Sequence, residues 1–217
     1  MARIKNRNSR SKPQRSLALI LLYLLLGVVI AGGIGSYALY RYIEPQLPDI
    51  DSLLEVRYQI PMSVYSRDGK LIGQFGEKKR SPINYAEIPR STIQAFLAAE
   101  DDRFFEHPGV DYQGLLRAVF EFVRTGEKRQ GGSTITMQVA RNFFLSSEKT
   151  FFRKVTEIML SMKIESKLTK EQILELYLNK IYFGHHAYGI DAAAQVYYGK
   201  HVPELSLGET AMIAGLP

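Results

Sequence analysis

From Ser16 to Tyr40 the sequence carries no charged residue, and Leu17 to Ile34 is almost wholly apolar. At about 1.5 Å per residue a helix of that length crosses the ~30 Å hydrocarbon layer of a bilayer. A cleaved signal peptide is the rival reading, but its apolar region is typically only about 7 to 15 residues, so residues 16–40 read as a transmembrane helix that stays in place. Before it stand Arg3, Lys5, Arg7, Arg10, Lys12 and Arg15 with no acid among them. Such a basic tail, residues 1–15, remains cytoplasmic and puts everything after Arg41 on the outer side of the membrane. Gly27, Ala31 and Gly35 recur every four residues, a small-residue face suited to packing against another membrane helix.

The net charge is +6, and the tail alone supplies six positives. The rest of the chain is therefore neutral overall, which argues against a nucleic-acid surface. The absence of cysteine removes disulfides, thiolate chemistry and zinc-thiolate sites together. At 217 residues the chain has room for one sizeable domain beyond the membrane helix.

Pro45, Pro48, Asp49 and Asp51 mark residues 41–60 as a linker, and residues 61–217 as the folded domain. Met62 to Tyr65 and Lys70 to Phe75 flank Ser66-Arg67-Asp68-Gly69, and Asp-Gly between apolar runs predicts a β-hairpin. From Ser91 the pattern turns helical, interrupted at Pro108-Gly109, Gly126, Gly131-Gly132, Gly184 and Gly199. The domain is expected to be mainly α with a small β-hairpin element.

Ile93, Phe96, Leu97, Glu100 and Phe104 share one helical stripe, which places an acid where a core residue belongs. Phenylalanines around a carboxyl disfavour its charged form and suit it to proton abstraction, while Arg103 three residues on pulls the other way. Glu100 is thus a candidate general base. The plainer alternative is a helix-ending acid paired with Arg103 at the surface.

Gly131-Gly132-Ser133-Thr134 opens a helix carrying Ile135, Val139 and Phe143. Glycines ahead of a Ser/Thr cap leave backbone amides free at the positive end of a helix, which is either an anion site or simply a cap. Arg117 to Lys170 holds eleven Lys/Arg against five Asp/Glu. That excess suits a phosphate or pyrophosphate carried on a lipid, or a basic face against anionic headgroups. The polar stretch Glu121 to Gln130 just before reads as a mobile loop or a frayed helix end.

The helix from about Thr150 to Glu165 is expected to turn Phe151, Val155, Ile158 and Met162 inward, with Glu157 at the stripe's edge. Arg153 and Lys154 lie one turn before Glu157 and favour its ionised form, fit for orienting a cation or a metal. An ordinary ion pair within the helix, worth about 0.3 to 0.5 kcal/mol if exposed, is the alternative. Thr169 with Gln172 forms a capping-box pattern before the next helix, and Ala192-Ala193-Ala194 implies close approach of another helix. His185-His186 sit adjacent on a turn with no ligand cluster nearby, so no metal is assigned there.

Five ordered motifs then carry a resemblance. They are Glu100-Asp101-Asp102-Arg103-Phe104-Phe105-Glu106-His107-Pro108-Gly109, Gly131 to Gln138, Arg153-Lys154-Val155-Thr156-Glu157, Ile173 to Asn179, and Leu207-Gly208-Glu209-Thr210-Ala211. Over roughly Pro61 to Pro217 the chain resembles glycosyltransferase family 51, the peptidoglycan glycosyltransferases. Within that family it is similar to the bifunctional class A penicillin-binding proteins. Those carry a transpeptidase domain after this one. Neither Lys-Thr-Gly nor Ser-x-Asn occurs here, so the chain is read as truncated before that domain. Met137 departs from the family, which has Gln there.

The resemblance implies a lysozyme-like glycosyltransferase domain, preceded by one N-terminal transmembrane helix, with its site outside the cytoplasm at the membrane surface. Glu100 would be the general base, deprotonating the 4-hydroxyl of N-acetylglucosamine in lipid II. Glu157 would be the second catalytic carboxylate, among cations that stabilise the departing undecaprenyl pyrophosphate. It further implies that Asp101, Arg103, Phe104, Ser133, Thr134, Gln138, Arg141, Lys149, Arg153, Lys154 and Asn179 bind pyrophosphate and sugars. No cofactor is required, though a divalent Mg or Mn ion at Glu157 would be compatible. The implied partners are lipid II, the nascent lipid-linked glycan, the membrane, other cell-wall synthesis proteins and a second copy of the chain. Two other classes stay open: a lysozyme-like hydrolase or lytic transglycosylase, and a membrane-tethered scaffold without catalysis.

Overall fold

A computed structural model describes residues 13–56, 58, 62–75, 79–126, 132–145 and 150–217. The chain divides into two compact units, Met1–Leu47 and Pro48–Pro217. In the first, α1 runs over Pro13–Ile43. Among the described residues it contains the one segment long and apolar enough to cross a membrane. Leu21, Leu24, Val28 and Ile34 lie exposed along it, as side chains facing lipid would.

The second unit is mainly helical, as the sequence indicates. It begins earlier than the linker reading places it. Ile50 and Leu53 are buried, Asp51–Leu53 forms a short 3₁₀ turn, and Lys167 pairs with Asp51. Two apolar side chains in a Pro/Asp-rich stretch are enough to fold it onto the domain.

Strands β1 (Met62–Tyr65) and β2 (Leu71–Phe75) pair antiparallel, with Met62 opposite Phe75. Gly69 turns the hairpin at φ +79°, a conformation that favours glycine. The other pairing is short and parallel, β3 (Lys79–Arg80) with β4 (Ala187–Tyr188). It joins chain from the two ends of the domain.

The helices are α2 (Arg90–Glu100), α3 (Tyr112–Thr125), α4 (Ile135–Phe144), α5 (Phe151–Glu165), α6 (Lys170–Lys180), α7 (Ile190–Tyr198) and α8 (Leu207–Ala214). Side-chain caps fix where most of them start. Asp111, Thr134, Thr150, Thr169 and Ser206 each accept from a backbone amide of the first turn, and Thr169 and Ser206 complete capping boxes with Gln172 and Glu209.

α4 is the central element, buried from Ile135 to Ala140, with α5 and α6 packed on it and α2 packed on α8. Phe96 meets Tyr177 and Phe183 edge to face at 6.3 and 6.0 Å. Ala192, Ala193 and Ala194 are all buried on α7, which lies against α6 and α8. The loop after α2 reaches α5 at Gly109, whose φ is +90° and where an added Cβ would stand 2.9 Å from the Ser161 carbonyl oxygen.

One helix is turned over relative to the sequence reading. On α5 the buried face is Thr156, Glu157, Leu160, Ser161 and Ile164, whereas Phe151 is 81 % exposed and Phe152 and Met162 are also open. That face also carries Met159, Leu160 and Ile164, and its polar groups are satisfied inside α5: Thr156 and Ser161 donate to the Phe152 and Ile158 carbonyls, and Glu157 pairs with Arg153 and Lys154. Periodicity by itself ranks only hydrophobicity and does not register such local pairing. Glu157 thus sits inside that face and not at its edge.

Candidate active site

α2 ends at Glu100 because the chain leaves helical geometry at Asp101, whose φ of −162° is extended. This leaves the Glu100 carboxylate half-buried at a helix end, over a cleft of about 290 Å³. Ala98, Ala99, Asp101, Asp102, Asp111, Gly132, Ser133 and Thr134 line the cleft with it. Gln138 Nε2 donates to Glu100 Oε2 at 2.7 Å. Among the described residues no protein group donates to Oε1, so that oxygen is the one available to a proton. It stands out among its neighbours. Asp101 accepts from His107 Nε2 and from the Ile135 amide, and Asp111 accepts from the Gly114 amide and Arg103.

A cationic group adjoins the lining at Ser133. Lys154 Nζ donates to Ser133 Oγ at 2.8 Å and to Glu157 Oε2 at 3.1 Å, and Arg153 Nε lies 3.2 Å from Glu157 Oε1. Glu157 is only 1 % exposed. A buried carboxylate between two cations holds them in place. As a metal ligand it fits poorly: both its oxygens face cations, and among the described residues no group of three or more His, Asp or Glu side chains is gathered for an ion.

The cleft is therefore lined by a carboxylate with a free oxygen and by Ser133, to which an ammonium is hydrogen-bonded. That pairing suits a reaction in which a proton leaves one oxygen while negative charge grows on another.

Residues 68–217 match the family described as Transglycosylase. The chain belongs to the transglycosylase family. It is 56% identical over 197 residues to penicillin-binding protein 1A of Escherichia coli (strain K12), which covers 90% of this chain and 23% of that protein. With penicillin-binding protein 1A of Pseudomonas aeruginosa it shares 57% over 178 residues, covering 82% and 22%, and with that of Vibrio cholerae 51% over 204 residues, covering 94% and 24%. The chain thus spans less than a quarter of the length of these relatives.

In this transglycosylase chain the residues singled out from sequence fall into three groups. Glu100, Asp101, Ser133 and Thr134 line the cleft, and Gln138, Lys154, Arg153 and Glu157 are joined to it by the contacts above. Arg141 lies one turn beyond Gln138 and lines a second cleft of about 410 Å³ with Asn142, Lys180, Tyr182 and Tyr188. A third group is engaged elsewhere. Arg103 donates to Glu106 at 3.0 Å and to Asp111 at 3.1 Å, so the pull expected on Glu100 is directed at other acids. Phe104 is fully buried under the Lys170 ammonium, 4.3 Å from its ring centre. Asn179 is 4 % exposed, and its amide pairs with both backbone groups of Ile83, at 2.9 and 2.8 Å. Lys149 and Gly131 lie outside the described residues.

The start of α4 takes the second of its two readings, a cap. Its amides are already engaged: Ile135 N donates to Asp101 Oδ2 at 3.0 Å and Met137 N to Thr134 Oγ1 at 3.2 Å. The anion at this helix end is Asp101 itself, so a ligand anion here would be met by Lys154 and its neighbours instead of free amides. Met137 is buried in the core.

Two features escaped the sequence. Leu115 and Arg117 of α3 line the Glu100 cleft. Tyr177 lies within the fourth motif and is fully buried, and its hydroxyl is within the electrostatic reach of Glu100 and Arg141. The α3 pair follows from amphipathic spacing only once α3 is known to border the cleft.

Proposed function

We propose that this chain polymerises lipid II into glycan strands as a peptidoglycan glycosyltransferase of bacterial cell-wall synthesis. The observation that carries the reading is what the cleft brings together: Glu100, held through one oxygen by Gln138, lines it with Ser133, to which the Lys154 ammonium donates. In the reaction Glu100 takes the proton of the 4-hydroxyl of the lipid II N-acetylglucosamine. The oxygen attacks C1 of the lipid-linked N-acetylmuramic acid from the face opposite the leaving group, so C1 inverts. The C1–O bond breaks and its electron pair leaves on undecaprenyl pyrophosphate. Lys154, Arg153 and Arg141 stabilise that charge, and Glu157 orients the first two.

The exposed apolar face of α3 supports action at a membrane surface. Leu116, Phe120 and Val123 are 71, 69 and 78 % exposed and follow each other at helical spacing, with Phe151 and Phe152 of α5 open as well. The basic tail before α1 supports a cytoplasmic N-terminus and an extracytoplasmic catalytic unit, periplasmic where an outer membrane exists. Lipid II and the nascent glycan are the partners this reading requires. Assembly with other cell-wall proteins, or as a homodimer, would be compatible with it.

The test is incubation of the membrane-inserted chain with labelled lipid II, beside a Glu100→Gln variant. Polymer is expected from the parent and none from the variant. Polymer from both at equal rates would sink the base assignment. Cleavage of finished glycan without polymerisation would point to a hydrolase, and neither activity to a scaffold.

A further inference from the structure

Tyr177 on α6 is fully buried, and its hydroxyl is sealed from solvent with no hydrogen-bond partner among the described residues. Native interiors leave few such groups unmatched, and each calls for a reason. Its surroundings supply one. The ring stands edge-on to Phe96 at 6.3 Å, and Phe96 lies one helical turn before Glu100 on α2. A ring packed there runs along the face that ends at the carboxylate. Gln138 reaches the same carboxylate from α4 at 2.7 Å, and Arg141 follows Gln138 by one turn. Burial, then the nearby Glu100 charge, push the Tyr177 phenol far above its ordinary range, against the pull of Arg141. The group is therefore a neutral O–H at any working pH, able to donate its proton and accept on its oxygen.

We propose that Tyr177 is a positioning residue for Glu100: with a small inward shift of the carboxylate its hydroxyl donates to Glu100, so that Gln138 and Tyr177 together fix the base. The inference rests on the proposed glycosyl transfer and deepens it. A carboxylate held by one donor can swing about that bond. Held by two it presents one oxygen in a single direction, which is what proton abstraction from a positioned hydroxyl needs. The Tyr177 oxygen can at the same time accept from Arg141, which would connect the base to a cation placed for the leaving group.

The test is Tyr177→Phe in the whole membrane-inserted chain, since Phe keeps the ring against Phe96 and removes only the hydroxyl. With lipid II, kcat is expected to fall about tenfold while KM stays within about twofold. Unchanged kcat in a folded variant would overturn the proposal. A second readout does not depend on turnover: the ¹³C resonance of the Glu100 carboxyl at one fixed pH, assigned against Glu100→Gln. Loss of the Tyr177 hydroxyl should shift and broaden that resonance, as a carboxylate released from its second donor would, whereas an unmoved resonance would overturn the proposal. Phe96→Leu is the packing control, expected to lower the thermal midpoint and leave the Glu100 resonance in place; an equal shift from Phe96→Leu would assign the effect to packing and reject the proposal. Absence of polymer from the parent chain would count against the proposed function alone, because the resonance still decides the role of Tyr177.

Discussion

The side-chain amide of Gln138 donates to Glu100 Oε2 at 2.7 Å and so ties the last residue of α2 to the middle of α4. A half-buried carboxylate gains direction from that single contact. Gln138→Ala should lower lipid II turnover about a hundredfold, because a base free to rotate loses its near-attack geometry. Steady-state polymerisation rates measure it. The fold should lose only about 1 kcal/mol, the worth of one ordinary hydrogen bond, as read by urea unfolding.

Glu157 holds Arg153 and Lys154 from a position 1 % exposed. Removing it leaves two cations facing each other without their anion. Glu157→Ala should destabilise the domain by about 3 kcal/mol, the lower end for breaking a buried pair from one side. Chemical denaturation checks this, and a change below 1 kcal/mol would mean that water reaches the pair.

Asn179 and Ile83 exchange two hydrogen bonds across 96 residues of sequence. Asn179→Asp keeps the acceptor for Ile83 N and loses the donor to Ile83 O. It should cost about 2 kcal/mol, the penalty of a buried acceptor left without its donor, while KM for lipid II stays unchanged. A raised KM with normal stability would instead assign Asn179 to the substrate.

Acid should act on the join between α7 and α8. The Lys200 ammonium, with help from the Ser206 amide and hydroxyl, holds the Glu209 carboxyl down at about 2 from an ordinary 4.5. A depressed carboxylate contributes stability that is fully present above the unfolded value and is lost as pH falls through the folded one. Unfolding midpoints measured between pH 4.5 and 2 should therefore fall less steeply in Glu209→Gln than in the parent.

The exposed stripe on α3 should matter for membrane contact and little for folding. Leu116→Ser with Phe120→Ser removes two side chains that are already 71 and 69 % exposed. Stability should change by no more than about 0.5 kcal/mol per site. Transfer from lipid II embedded in vesicles should drop several-fold, against little change with a short-chain soluble analogue. Equal losses on both substrates would place the stripe in the site and not at the membrane.

The sequence by itself determined what local forces decide. The uncharged run from Ser16 to Tyr40 dictates a helix long and apolar enough to cross a membrane, Asp68-Gly69 turns the hairpin, and Thr169 with Gln172 starts α6, because solvation and capping act within a few residues. The ordered motifs likewise marked Glu100, Gln138, Lys154 and Glu157 as belonging together. Only the tertiary structure decided how these side chains are used. It placed Asp101 on the Ile135 amide, 34 residues away, turned Arg103 toward Glu106 and Asp111, spent Asn179 on Ile83, and buried the Glu157 face of α5 while leaving Phe151 and Phe152 open. Those outcomes depend on which polar group meets which in the folded chain. Periodicity ranks residues by hydrophobicity alone, whereas a buried donor or acceptor is placed by the partner that satisfies it.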